Sequence, residues 1–180
     1  AYAAATTMDG GAGTDTVAFQ SAQTHTATTL AGISNTEIWT LPQDSNFTIS
    51  DAVLSNNPGL SIRIAGNGTL SGGEDTAGGA LMTTAMNVTS TAAGNLNLIG
   101  SSGDDTFTGN VAVAASSTIT GGAGNDQYVT AGANNRNENL TLTGIEVIDI
   151  GSGAAGALTS NFKASQLSGK DFIINSQGAD

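Results

Sequence analysis

The chain has 180 residues, 25 of them glycine, with aromatics at 4% and charged residues at 11%, against about 25% charged in an ordinary globular domain. A formal net charge of −11 argues against a nucleic-acid partner, since phosphate binding needs clustered Lys and Arg, and against anionic membrane surfaces for the same reason. There is no cysteine, which rules out disulfides and thiolate metal sites, and no apolar run of about 18 residues that would span a membrane. A mean hydropathy near zero argues against disorder. So few large side chains suit a thin core between short stacked strands, which favours a repetitive β architecture. The alanines at Ala1 and Ala3 to Ala5 lack the basic start and apolar stretch of a signal peptide. Any export signal is expected elsewhere in a longer gene product.

In chain order, β-branched runs bounded by Gly and Asn predict a first strand over 37–41. A helical turn over 50–54 follows, with Ser50 as its cap. Strands are then predicted over 60–65, 95–99, 105–108, 117–120, 127–130, 139–143 and 145–150. A second helical turn is expected over 164–167 and a last strand over 171–175. No other segment keeps a helical period for two turns.

Repeats organise the chain. The stretches 10–18 (GGAGTDTVA) and 121–129 (GGAGNDQYV) fit the pattern G-G-x-G-x-D-x-U-x at every fixed position. The stretch 100–108 (GSSGDDTFT) fits with Ser101 in place of Gly. A second spacing places Gly94 nine residues before Gly103 and eleven before Asp105, and Gly169 likewise before Gly178 and Asp180. Gly59, Gly68 and Leu70 repeat that spacing; in this frame Leu70 stands where the carboxylate would be, and is expected to bind no cation and to pack against the strand at 60–65. At an offset of 109 to 115 residues the region after Asp15 matches the region after Asp126, including Glu37 with Glu146. The expected division is a first solenoid module over 1–86, central coils over 87–130 and a partial second module over 131–180.

The loops have the chemistry of a calcium site. Calcium takes six to eight oxygens from carboxylates, carbonyls and water. A Gly-rich turn turns several carbonyls toward one point because glycine adopts positive φ freely. The Asp at the sixth position supplies charge, and the apolar residue two places on (Val17, Phe107, Tyr128) anchors the outgoing strand. The candidate ligands are Gly11, Gly13 and Asp15; Gly100, Ser102, Asp104 and Asp105; and Gly121, Ala123, Asn125 and Asp126. The loops at Gly100 and Gly121 lie 21 residues apart, close to the roughly 18 of a coil made of two nine-residue repeats. This predicts calcium between Asp105 and Asp126, with Asp104 and Asn125 adding oxygens. Asp15 has no partner loop nearby in sequence.

These loops resemble the RTX repeats of proteins exported by type I secretion. The phrases Leu142-Thr143-Gly144-Ile145-Glu146-Val147-Ile148-Asp149 and Ser50-Asp51-Ala52-Val53-Leu54 are similar to those of RTX surface-layer proteins and giant adhesins. The resemblance implies a calcium-stacked parallel β-roll that folds outside the cell. The loops are not in tandem every nine residues, so the expected fold is all-β: a parallel β-solenoid of β-roll-like coils with calcium-binding Gly-Asp loops and short helical inserts.

Other residues are set aside. His25, the one histidine, is read as a solvated strand residue, with nothing to make it part of a triad. Trp39 is read as packing, and Glu37 and Glu146, recurring in one frame, as turn or strand-edge contacts. The sequons at Asn46, Asn67, Asn87 and Asn139 carry little information in so Asn- and Thr-rich a chain. The expected function is a calcium-binding structural module of a secreted bacterial surface protein, not an enzyme. The alternatives are the folding and secretion tail of an exported hydrolase, and a β-helical polysaccharide-degrading enzyme. The latter is disfavoured because Arg63, Arg136, Lys163 and Lys170 are far in sequence from the acidic loops. Residues 175–180 align with 121–126, so the chain stops on a half-built loop. Continuation of the array is expected, through more of its own polypeptide or through self-association.

Overall fold

The computed structural model describes residues 7–72, 82–92, 94–109, 117–130, 135–136, 140–150 and 160–174. In chain order the elements are β1 (Met8–Asp9), β2 (Thr16–Ala18), β3 (Thr24–His25), α1 (Ala27–Leu30), β4 (Ile33–Ser34), β5 (Ile38–Leu41) and β6 (Ser45–Ile49). Then come α2 (Asp51–Asn56), β7 (Ser61–Ala65), β8 (Gly68–Gly72), β9 (Asn87–Ala92), β10 (Leu96–Ile99), β11 (Thr106–Gly109) and β12 (Thr118–Thr120). The last are β13 (Gln127–Thr130), β14 (Asn135–Arg136), β15 (Thr141–Thr143), β16 (Val147–Ile150), β17 (Ser160–Asn161), α3 (Ala164–Leu167) and β18 (Asp171–Ile174).

The fold is a parallel β-solenoid. One sheet of eight strands runs β18-β16-β13-β11-β9-β7-β5-β2, and a second of six runs β15-β12-β10-β8-β6-β3. Every pairing in both is parallel. From β2 to β16 the chain alternates between the two sheets, giving one short strand to each per coil. The ladders cross the boundaries drawn at 86/87 and 130/131 through β7–β9 and β13–β16 without a break.

Side chains alternate along a strand with period two, so one residue of each central pair points between the sheets. In the large sheet the inward column is Val17, Trp39, Ile62, Val88, Phe107, Tyr128 and Ile148, in register and all buried. The smaller sheet answers with His25, Phe47, Leu70, Leu98 and Ile119, also buried. Val17, Phe107 and Tyr128 thus face the core as the loop pattern predicts. Burying a side chain of this size contributes about 1.5–3 kcal/mol, and stacking makes one narrow seam of such contributions.

Ser50 caps α2 as expected, its Oγ accepting from the Val53 N–H at 3.4 Å, and Val53 and Leu54 enter the core. Trp39 is fully buried, and its Nε1 donates to Thr36 Oγ1 at 2.8 Å. The Thr36 hydroxyl in turn donates to Asn57 Oδ1 at 2.6 Å, and Asn57 Nδ2 donates to the carbonyls of Ile33 and Val53. The indole N–H thus belongs to a buried network that ties the stretch 33–36 to α2 and its cap Asn57.

Two expectations need correction. His25 is buried at 5% exposure, not solvated. Its register with Phe47 turns it inward, where it packs on Phe19 and Phe47 with ring centroids 5.1 and 4.7 Å away. Burial lowers its pKa from the usual histidine value. Leu70 is buried as expected, but not in the frame of Asp105: it sits mid-strand in the smaller sheet, opposite Phe47 and Leu98, whereas Asp105 precedes a strand of the large sheet. The loop at 175–180 lies outside the described residues, as does the sequon at Asn139.

Candidate calcium site

The strands of the large sheet all leave a common corner. The residue just before each strand is Asp15, Glu37, Leu60, Met86, Asp105, Asp126, Glu146 or Lys170. Their stacking is visible in the backbone: the carbonyls of Asp15, Glu37, Met86, Asp105, Asp126 and Glu146 each accept from the coil below. Where the corner residue is acidic, its carboxylate reaches back to the corner N–H of the coil above. Glu37 Oε2 accepts from the Asp15 N–H at 2.8 Å, Asp105 Oδ1 from Met86 at 2.6 Å, Asp126 Oδ1 from Asp105 at 2.8 Å and Glu146 Oε2 from Asp126 at 2.9 Å. These bonds span 22, 19, 21 and 20 residues respectively, which is why no local pattern reveals them. Glu37 and Glu146 are inter-coil contacts at strand edges, as their recurrence suggests.

The corners come in long and short forms. In the long loops the chain takes positive φ at Gly11 and Gly13, and again at Gly122 and Gly124. In the short corners Asn35-Thr36-Glu37 and Gly144-Ile145-Glu146 a single positive-φ residue, Asn35 at 51° or Gly144 at 55°, makes the bend. Glutamate's extra methylene lets the shorter corner reach the same N–H.

The three loop aspartates differ in how they are satisfied. Asp105 is 1% exposed. Its Oδ2 accepts from the Ser101 N–H at 2.6 Å, and the Ser101 hydroxyl lies 3.0 and 3.2 Å from its two oxygens. Asp126 is fully buried, and its Oδ2 has no hydrogen-bond partner. Oδ2 of Asp15 is likewise buried and unpartnered. Burial, assisted by the negative charges of Asp105, Glu146 and Asp104, raises the Asp126 pKa to about 6. Burial also raises that of Asp105, against its hydrogen bonds.

Glycine lets these oxygens pack directly against the backbone. A side chain at Gly121 would fall within 3.0 Å of both the Gly144 carbonyl oxygen and Asp126 Oδ2. The carboxylate and the next coil's carbonyl therefore face one glycine Cα. Gly100 has the same relation to the Gly121 carbonyl and Asp105 Oδ2, and Gly10 to the Asn35 carbonyl and the Asp15 side chain.

The remaining predicted ligands are scattered. Asp104 and Asn125 do meet, with the Asn125 N–H donating to Asp104 Oδ1 at 2.8 Å, but both are exposed. Ser102 turns to the other side, its N–H and hydroxyl both near the Met82 carbonyl. Gly11, whose N–H donates to Asp9 Oδ1, and Gly13 and Ala123 are exposed. No family model, curated protein or solved structure matches the chain.

The donor set nonetheless fits a hard cation. Among the described residues no three acidic or histidine side chains converge, so carbonyls would have to supply part of any cation's shell. What the corner offers is a buried carboxylate oxygen with no donor, beside backbone carbonyls. Those are calcium's oxygens, and a buried ionised oxygen left unpaired costs several kcal/mol. A bound ion would supply positive charge between coils; Asp126, the Gly144 carbonyl and Glu146 would hold it. Sequence reading missed Glu146 and Glu37 as members of this corner; their match at a 109-residue offset was the available signal.

Proposed function

We propose that this chain is a structural solenoid segment of a secreted bacterial surface protein, stiffened by calcium at its Gly-Asp corners, with no catalytic role. The supporting observation is Asp126 Oδ2, buried without a partner in a corner stacked between Asp105 and Glu146. Stacked carboxylates repel one another unless a proton or cation intervenes, and calcium outside the cell meets that need at neutral pH. The likeness of the loops to RTX repeats supports export, surface-layer or adhesin assembly, and continuation of the array through more chain or further subunits.

The test is thermal unfolding of the purified chain followed by circular dichroism in excess calcium, in excess magnesium and in EGTA. Calcium should raise the midpoint by several degrees over both controls. A midpoint indifferent to calcium contradicts the proposal.

A further inference from the structure

The tandem pairing of loops 100–105 and 121–126 is the obvious place for calcium, yet only one of its two aspartates has an unpartnered oxygen. Among the described residues, three buried side-chain atoms lack a hydrogen-bond partner: Asp15 Oδ2, Ser45 Oγ and Asp126 Oδ2. Both carboxylates belong to the loops that match G-G-x-G-x-D in full, and the Ser101-containing loop has none. Both share a second feature. The coil below each is a short corner ending in glutamate, Asn35-Thr36-Glu37 under Asp15 and Gly144-Ile145-Glu146 under Asp126. Below Asp105 lies another long loop.

The two corners share their backbone arrangement. In each case the glutamate Oε2 accepts from the aspartate's own N–H. In each case the carbonyl of the short corner's positive-φ residue, Asn35 or Gly144, faces the first glycine of the loop above, Gly10 or Gly121. At the lower corner Asp126 Oδ2 and the Gly144 carbonyl both pack against the Gly121 Cα, and at the upper one the Asn35 carbonyl and the Asp15 side chain pack against Gly10, with a second carboxylate beside each. Acceptors cluster like this around a cation. At Asp105 the Ser101 N–H and hydroxyl supply the missing donors.

We infer that the chain carries two calcium sites, one between Asp15 and the corner 35–37 and one between Asp126 and the corner 144–146. Each is built from the aspartate Oδ2, the facing carbonyl and the neighbouring glutamate. Asp105 is a hydrogen-bonded corner and not a ligand. The inference rests on the calcium reading above and moves its site by one coil. It also gives Asp15 a partner within this chain.

The experiment is calorimetric titration of the full chain with calcium alone as the probe. Wild type should bind two ions. Asp15→Asn and Asp126→Asn should each leave one, and that remaining ion reports that the variant is still folded. Asp105→Asn should keep both. Glu146→Gln keeps a hydrogen-bond acceptor but loses the charge, and should weaken one site by about tenfold or more. Binding lost on Asp105→Asn with circular dichroism unchanged, or binding that survives Asp15→Asn and Asp126→Asn together, overturns the placement while leaving the calcium reading intact. No binding to wild type overturns both.

Discussion

The corners at 100–105 and 121–126 stack directly on each other and share nearly the same sequence pattern, yet they solve opposite problems. In the upper corner Ser101 turns its N–H and hydroxyl onto Asp105, so a buried carboxylate is fully hydrogen-bonded by its own loop. In the lower one Gly122 sits at φ 124°, carries no hydroxyl and turns no N–H onto Asp126, which keeps a buried oxygen unpaired. A buried polar atom without a partner is a liability unless something outside the chain completes it. One residue, Ser or Gly at the second loop position, thus separates a self-sufficient corner from one that needs a ligand.

The comparison is broken most severely by removing each aspartate. Asp105→Ala strips acceptors from the Met86 and Ser101 N–H groups inside the core and should lose on the order of 3 kcal/mol. Chemical denaturation should give the same loss in calcium and in EGTA. Asp126→Asn should behave oppositely. Its amide oxygen still accepts from Asp105, and its NH₂ can donate toward the Gly144 carbonyl. In EGTA the variant should match or exceed wild type. In saturating calcium it should fall behind by the lost linkage, about 2.7 kcal/mol at a hundredfold excess over Kd. A deficit of equal size in both conditions would show that Asp126 is merely structural.

Glycines sharpen the contrast at a smaller scale. Gly121→Ala drives a methyl group into the Gly144 carbonyl and Asp126 Oδ2, and should lose about 2 kcal/mol or more by overpacking together with calcium at that corner. Gly59→Ala meets no neighbouring atom and bears only its positive φ of 77°, for about 1 kcal/mol and no change in calcium response. Paired melts with and without calcium distinguish the two.

The smallest effect lies far from both corners. His25 has a folded pKa below its unfolded value of about 6.5, so the unfolded chain binds its proton more readily. Its contribution is present above that pH and is lost as pH falls through the window below it. His25→Leu should flatten the stability profile below about pH 6.5, and an unchanged profile would mean that His25 titrates as it does in the unfolded chain.

Much of the solenoid is legible in sequence. The strand at 127–130 follows directly from Tyr128 and Val129 after a Gly-Asn-Asp turn, and the Ser50 cap from its place before an apolar helix face. The strands β3, β6 and β8 are not, because Thr24–His25, Ser45–Ile49 and Gly68–Gly72 hold at most two apolar residues each. They are strands because parallel neighbours, on one side for β3 and on both for β6 and β8, satisfy their backbone. His25 misleads for the same reason: its threonine neighbours look solvated, and only the register with Phe47 turns it inward. At the candidate site the loop motif is plain, whereas the glutamate partners lie 20 and 22 residues away, a distance set by coil lengths that no local pattern encodes.

The most direct measurement is anomalous diffraction from crystals of the chain grown in calcium. Two peaks are predicted, one touching Asp15 and the Asn35 carbonyl, the other touching Asp126 and the Gly144 carbonyl, with none on Asp105. A peak bridging Asp105 and Asp126, or no peak at any corner, would contradict the assignment.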